Sequence, residues 1–117
     1  KIYNEMSFDK IKEFAKSCSF FIQTSLSEGM AMSVLESMQL GLVPIVNNVG
    51  NIKVYCRDNV NSILIDTKIT RKILEISQNQ NKYLDLRKNA IKTWQSTLLY
   101  NQDIYENCLR LSNKLRN

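Results

Sequence analysis

All three glycines and the single proline of this 117-residue chain, Gly29, Gly41, Pro44 and Gly50, fall between positions 29 and 50. These residue types stop or redirect regular backbone. Tight turns are therefore gathered in one short window, and regular elements must lie within and around it. The apolar pattern between these turns alternates in type. "SFFIQT", residues 19–24, is a short apolar run between polar residues and reads as a buried strand. "AMSVLESMQL", residues 31–40, reads as a helix that follows a Ser-Glu-Gly turn. Met30, Val34, Leu35 and Met38 form its apolar stripe, and Gly41 is its stop. "VPIVNN", residues 43–48, is the next buried strand, "VGNIKVYCRDNVN" a loop with one helical turn, and "SILID", residues 62–66, a third strand. Upstream, Ser7 suits the N-cap of a helix through Lys16 with Phe8, Ile11, Phe14 and Ala15 on one face.

From Ile69 the pattern is wholly helical. Ile69, Ile73 and Ile76 recur at helical spacing, then Leu84, Ile91, Trp94 and Leu98, then Ile104, Cys108, Leu111 and Leu115. Trp94 lies on this stripe and reads as core rather than as a ligand-stacking ring. Strands alternating with helices imply βαβ units and a parallel sheet. The expected architecture is one α/β domain over residues 1–117: alternating elements over 1–66, giving a parallel sheet of about three strands with flanking helices, and a helical tail over 67–117.

Charge and composition exclude several functions. There is no histidine, so Ser-His and Cys-His catalysis are excluded. The three cysteines, Cys18, Cys56 and Cys108, are far apart and form no CxxC pair, so no zinc site is expected, and buried reduced thiols are the expected state. No apolar run is long enough to span a bilayer, and no signal peptide is visible. Up to Gly50 there are four Lys/Arg against five Asp/Glu, and from Asn51 onward twelve against six, which makes up the net +5. The basic half is the helical one. It suits a solvated helix surface or attraction to anionic headgroups. It lacks the aromatic-basic interleaving of nucleic-acid binders, so no nucleic-acid partner is expected.

The 24–51 stretch, "TSLSEGMAMSVLESMQLGLVPIVNNVGN", carries Glu28 in a turn and Glu36 within a helical pattern. A strand end, a short turn and a helix start form a recurrent anion site, because unpaired N–H groups and the helix dipole both face outward there. In doubly wound sheets such turns gather at the C-terminal edge of the strands, where ligands bind. A carboxylate accepts hydrogen bonds from paired hydroxyls, as a ribose or hexose would offer them. Within one helix, residues eight apart differ by about 80° in azimuth and about 12 Å along the axis, a reach that suits one extended ligand. Plainer readings stand beside this one: Glu28 as an acid favouring the helix dipole, Glu36 on a polar side with Ser33 and Ser37, or the two as an acid/base pair.

The run "SLSEGMAMSVLESMQLGLVPIVNNVGNIKVYCRDNVNSILI" resembles the C-terminal domain of retaining, nucleotide-sugar-dependent glycosyltransferases with the GT-B fold, the group 1 type. The resemblance rests on a Thr-Ser turn, Glu-Gly, a second Glu, a Gly-x-x-Pro strand entry and a Val-Gly loop, and extends from about Phe8 to Asp66. It implies a partial Rossmann-like fold in which this chain holds strands four to six of the order 3-2-1-4-5-6. It implies that Glu36 holds the ribose hydroxyls and that Glu28, in the catalytic centre, contacts hydroxyls of the donor sugar. The backbone N–H groups of Gly29, Met30 and Ala31 would face the sugar, and those near Val34 and Leu35 the diphosphate. The diphosphate leaves with electrostatic stabilisation and no metal or other cofactor.

The chain departs from the family pattern at Asn51, Lys53, Val54, Asn59 and Ser62, where the family has glycines or Pro-Glu. The pattern also implies partners: a nucleotide-sugar donor, a saccharide or lipid-linked acceptor, and an N-terminal domain of the same enzyme with a basic pair for the diphosphate. Ile2-Tyr3 would be the stub of a third strand, and the strand near Phe20–Thr24 a bare edge suited to self-association. The fragment alone would be inactive. The resemblance and the basic tail place the enzyme in the cytoplasm, peripheral at the inner membrane face. A non-catalytic nucleotide- or sugar-binding module is the alternative.

Overall fold

The computed structural model describes residues 2–29, 31–97 and 100–116, the side chains at 100, 101, 103, 104, 115 and 116 excepted. In chain order the elements are α1 (Phe8–Ala15), β1 (Phe20–Gln23), α2 (Met32–Gln39), β2 (Val43–Val46), α3 (Ile52–Tyr55), β3 (Ile63–Leu64), α4 (Ile69–Gln78), α5 (Gln80–Ser96) and α6 (Tyr100–Arg116). The strands form one parallel sheet in the order β1-β2-β3. Phe20 pairs with Val43 and Gln23 with Val46, and on the other side Ile45 pairs with Ile63. The three expected strands and the helices between them are therefore present, consistent with a partial Rossmann-like sheet.

The centre of the sheet follows from the sequence of β2, whose four residues Val-Pro-Ile-Val are all buried. Each large apolar side chain removed from water there contributes roughly 1.5–3 kcal/mol. Pro44 lacks an N–H, which is costly in a central strand. Val43 N–H donates towards β1, to the Ser19 carbonyl. Successive residues alternate sides, so the missing donor of Pro44 faces β3, which begins only opposite Ile45.

Period-two alternation sends β2 residues into two layers. Val46 packs with Val34, Leu35, Met38, Ile52, Tyr55 and Ala90. Val43 and Ile45 pack with Ile63, Ile76 and Leu86. The first layer lies under α2, the second under α4. α5 bridges them, giving Leu86 to one and Ala90 to the other, with half-buried Trp94 against the first. The expected core role of Trp94 holds.

Three expectations are corrected. Ser7 stands at the N-cap of α1 but makes no side-chain cap, and α1 buries no residue. Phe8, Ile11 and Phe14 are all exposed, with the Tyr3 ring against Phe14 at 5.0 Å between centroids. Residues 2 and 3 lie outside the three-stranded sheet; in the order 3-2-1-4-5-6 a third strand has no neighbour among strands four to six. Only Cys56 is buried; Cys18 and Cys108 are exposed, though all three thiols are free. Cys18 follows α1, and Cys108 sits on α6, where Tyr105, Leu109 and Leu111 are also exposed. Burial pushes the Cys56 thiol up to about 11, opposed by a hydrogen bond with Ser62. Leu98 lies outside the described residues. β1 is the edge strand expected, and its Ile22 is 62% exposed.

Candidate functional site

Parallel strands end on the same side, so the loops after Gln23, Val46 and Leu64 gather at one edge of the sheet. Two contacts bind the first two loops together. Asn47 Nδ2 donates to the Ser25 carbonyl at 3.1 Å. Gly50 lies so close to Glu28 that a β-carbon on it would sit 1.6 Å from the Glu28 carbonyl oxygen. Gly50 also holds a φ of 54°, in the left-handed region. The Val-Gly loop is thus pressed onto the Glu-Gly turn.

Glu28 is half-buried, and its Oε1 accepts from Gln23 Nε2 at 2.6 Å. Gln23 Nε2 also donates to Ser25 Oγ at 3.2 Å, and Gln23 Oε1 accepts from Ser33 Oγ at 2.6 Å. The end of β1, the turn and the start of α2 are linked through one amide side chain. On α2 the buried residues are Val34, Leu35, Ser37 and Met38. Helical spacing puts Glu36, half-buried, on the opposite arc beside Ser33. Ser37 does not share that polar side; it is buried and its hydroxyl donates to the Val34 carbonyl. Glu28 and Glu36 therefore flank Ser33, one through Gln23 and the other a helical turn on.

The backbone donors at the start of α2 are only partly available. Ala31 N–H donates to the Tyr55 hydroxyl at 3.1 Å, and the N–H groups of Val34 and Leu35 donate to the Ala31 carbonyl. Helix geometry leaves Met32 and Ser33 N–H with no intrahelical acceptor. Gly29 is exposed, with nothing within 4 Å of where a β-carbon would be. Met30 lies outside the described residues. Tyr55 is buried, and burial pushes its phenol up, with smaller contributions from Cys56 and Glu28; the Ala31 N–H opposes this.

Three of the five departures from the family pattern have local explanations; nothing in the structure explains Lys53 and Val54. Asn59 takes a φ of 57°, the left-handed conformation a glycine would supply. Asn51 has a φ of −82°, so no glycine is needed. Ser62 is buried and its hydroxyl bonds the Arg57 carbonyl and Asn61 Oδ1. Asn61, also buried, accepts from Arg57 N–H and donates to the Tyr55 carbonyl and Thr93 Oγ1. A polar network therefore braces the loop behind Tyr55.

Gln23, Asn47 and Tyr55 were not among the residues singled out by sequence, and Ser33 was named there only as a neighbour of Glu36 on the polar side. Gln23 had one legible signal, a polar residue closing an apolar strand; Tyr55 had none. The described surface hollows lie elsewhere, on α4 and α5 and between α1 and α5. Among the described residues no group of three His, Cys, Asp or Glu side chains is arranged to hold a metal ion.

A sequence model of the glycosyl transferases group 1 family matches residues 1–93, most of the chain and more than the Phe8–Asp66 stretch that carries the motif. The chain belongs to that family. Over 115 residues it is 26% identical to an uncharacterized glycosyltransferase of Methanocaldococcus jannaschii, a match covering 91% of this chain and 33% of that protein. The chain spans about a third of the length of this curated relative. No helix among the described residues is long and apolar enough to cross a membrane.

Proposed function

We propose that this chain is the donor-binding part of a retaining glycosyltransferase that moves a hexosyl group from a nucleoside diphosphate sugar to a saccharide or lipid-linked acceptor. What supports the reading most is the arrangement on the arc of Ser33: Glu36 on the same helix face, Glu28 joined through Gln23, both beside the start of α2. Glu36 accepts from the ribose hydroxyls. Glu28 accepts from hydroxyls of the donor sugar in the catalytic centre. Gly29, Met30 and Ala31 line the sugar. The start of α2, as far as Val34 and Leu35, lies under the diphosphate, with Met32 and Ser33 N–H as its donors because the others are engaged. Leaving-group charge is met by that helix end, with no metal or other cofactor.

The acceptor is bound by a further domain of the same enzyme, in keeping with a relative about three times as long. The enzyme works in the cytoplasm. The face of α5 carrying Arg87, Lys88 and Lys92 turns to an anionic membrane surface. Calorimetric titration of the full-length protein with UDP, GDP and ADP, beside a glycosyl-transfer assay, tests this. Binding of one nucleotide together with transfer is expected. Binding without transfer would favour a non-catalytic module, and no binding would overturn the reading.

A further inference from the structure

The geometry points to Gln23 as the positioning residue that aims the Glu28 carboxylate, with Ser33 as its support; this rests on the donor-site reading above. Gln23 is the last residue of β1 and lies on the same side of the strand as Phe21, the side covered by α2. A half-buried amide is costly there unless its groups are bonded. All of its bonding groups are used. Both amide hydrogens have acceptors, Glu28 Oε1 at 2.6 Å and Ser25 Oγ at 3.2 Å, and the amide oxygen receives the Ser33 hydroxyl at 2.6 Å. This network fixes the sense of the amide, since a flip would set its oxygen against a carboxylate.

The consequence falls on Glu28. One carboxylate oxygen is held by Gln23, and Oε2 has no partner among the described residues. The bond to Oε1 therefore fixes the direction in which Glu28 presents Oε2 to the donor sugar. The ribose contact at Glu36 lies a helical turn further along α2, and the diphosphate donors at Met32 and Ser33 are backbone N–H groups that a change of the Gln23 or Ser33 side chain leaves in place. Gln23 thus acts on the sugar half of the ligand alone. A merely structural role at the end of β1 would disturb both halves.

The test uses the full-length protein and paired probes: UDP with UDP-glucose, GDP with GDP-mannose, ADP with ADP-glucose. In the pair that binds, Gln23→Leu weakens the nucleotide sugar about ten-fold while the plain nucleoside diphosphate stays within about two-fold. Ser33→Ala gives a smaller loss in the same direction, about three-fold, and Ser33→Thr, which keeps the hydroxyl, restores it. Equal loss for both members of the pair, or none, overturns the positioning role, as does a Ser33→Thr variant no better than Ser33→Ala. A thermal melt of each variant checks folding, and the two Ser33 variants carry the test if Gln23→Leu does not fold. If the wild-type protein binds no pair at all, the donor-site reading itself falls and the role of Gln23 with it.

Discussion

Gly50 is the residue on which the geometry of the site most depends. Its φ of 54° strains any other side chain, and its α-carbon faces the Glu28 carbonyl with no room for a methyl group. Gly50→Ala should cost about 1–3 kcal/mol from the backbone alone, with the clash in addition. It should also push the Glu28 turn away from the loop, so donor affinity falls more than stability would explain. Denaturation midpoints set beside nucleotide-sugar titration measure the two effects; an alanine variant of unchanged stability would contradict the close approach. At this scale the sequence was partly legible. Gly29, Gly41 and Gly50 mark their turns, and Asn59 could be read as a left-handed substitute. Gln23 and Tyr55 could not be placed, because their roles depend on partners that the fold alone brings near: Tyr55 meets Ala31 across 24 positions of chain.

At the scale of elements, β3 and α4 are joined by a charged clamp. Lys72 Nζ lies 2.7 Å from both Asp58 Oδ2 and Asp66 Oδ2 and donates to the Leu64 carbonyl at 3.2 Å. Asp58 in turn accepts from Leu64 N–H at 2.8 Å. The bond from Lys72, followed by that from Lys68 N–H, holds the Asp66 carboxyl below its ordinary 3.8. Bonds to Asp58 and then Asp66 hold the Lys72 ammonium above its ordinary 10.5. A lowered carboxyl stabilises the fold above its ordinary value, and that contribution is lost as pH falls through the lowered one. A raised ammonium stabilises below its ordinary value and is lost as pH rises through the raised one. The gap in urea midpoint between wild type and Lys72→Met should therefore be widest between about pH 5 and 9 and should narrow at both extremes. A gap independent of pH would contradict the clamp. The elements themselves were legible because each short apolar run lies between clear stops. The exposure of the apolar face of α1 was not, since amphipathic spacing reveals an apolar side and says nothing about what covers it.

At the scale of the molecule, the sheet order β1-β2-β3 leaves β1 with one neighbour and its Ile22 exposed. An unpaired parallel edge of this kind invites a further strand. We expect the isolated 117-residue chain to self-associate through it, with sedimentation showing a rising mass at higher concentration and Ile22→Lys suppressing the rise. A monomer at every concentration would contradict this. The fold and the family agree at this scale: the sheet, its C-terminal edge and the Glu28 turn stand where the motif implied. The roles of Glu28 and Glu36 in ligand binding belong to the proposal. The most direct measurement is calorimetric titration of the full-length protein and its Glu36→Ala variant with UDP, GDP and ADP. The proposal predicts that one nucleoside diphosphate binds the wild type and that its affinity falls more than about ten-fold in the variant, with an unchanged melting temperature. Equal affinity in the two proteins would contradict it.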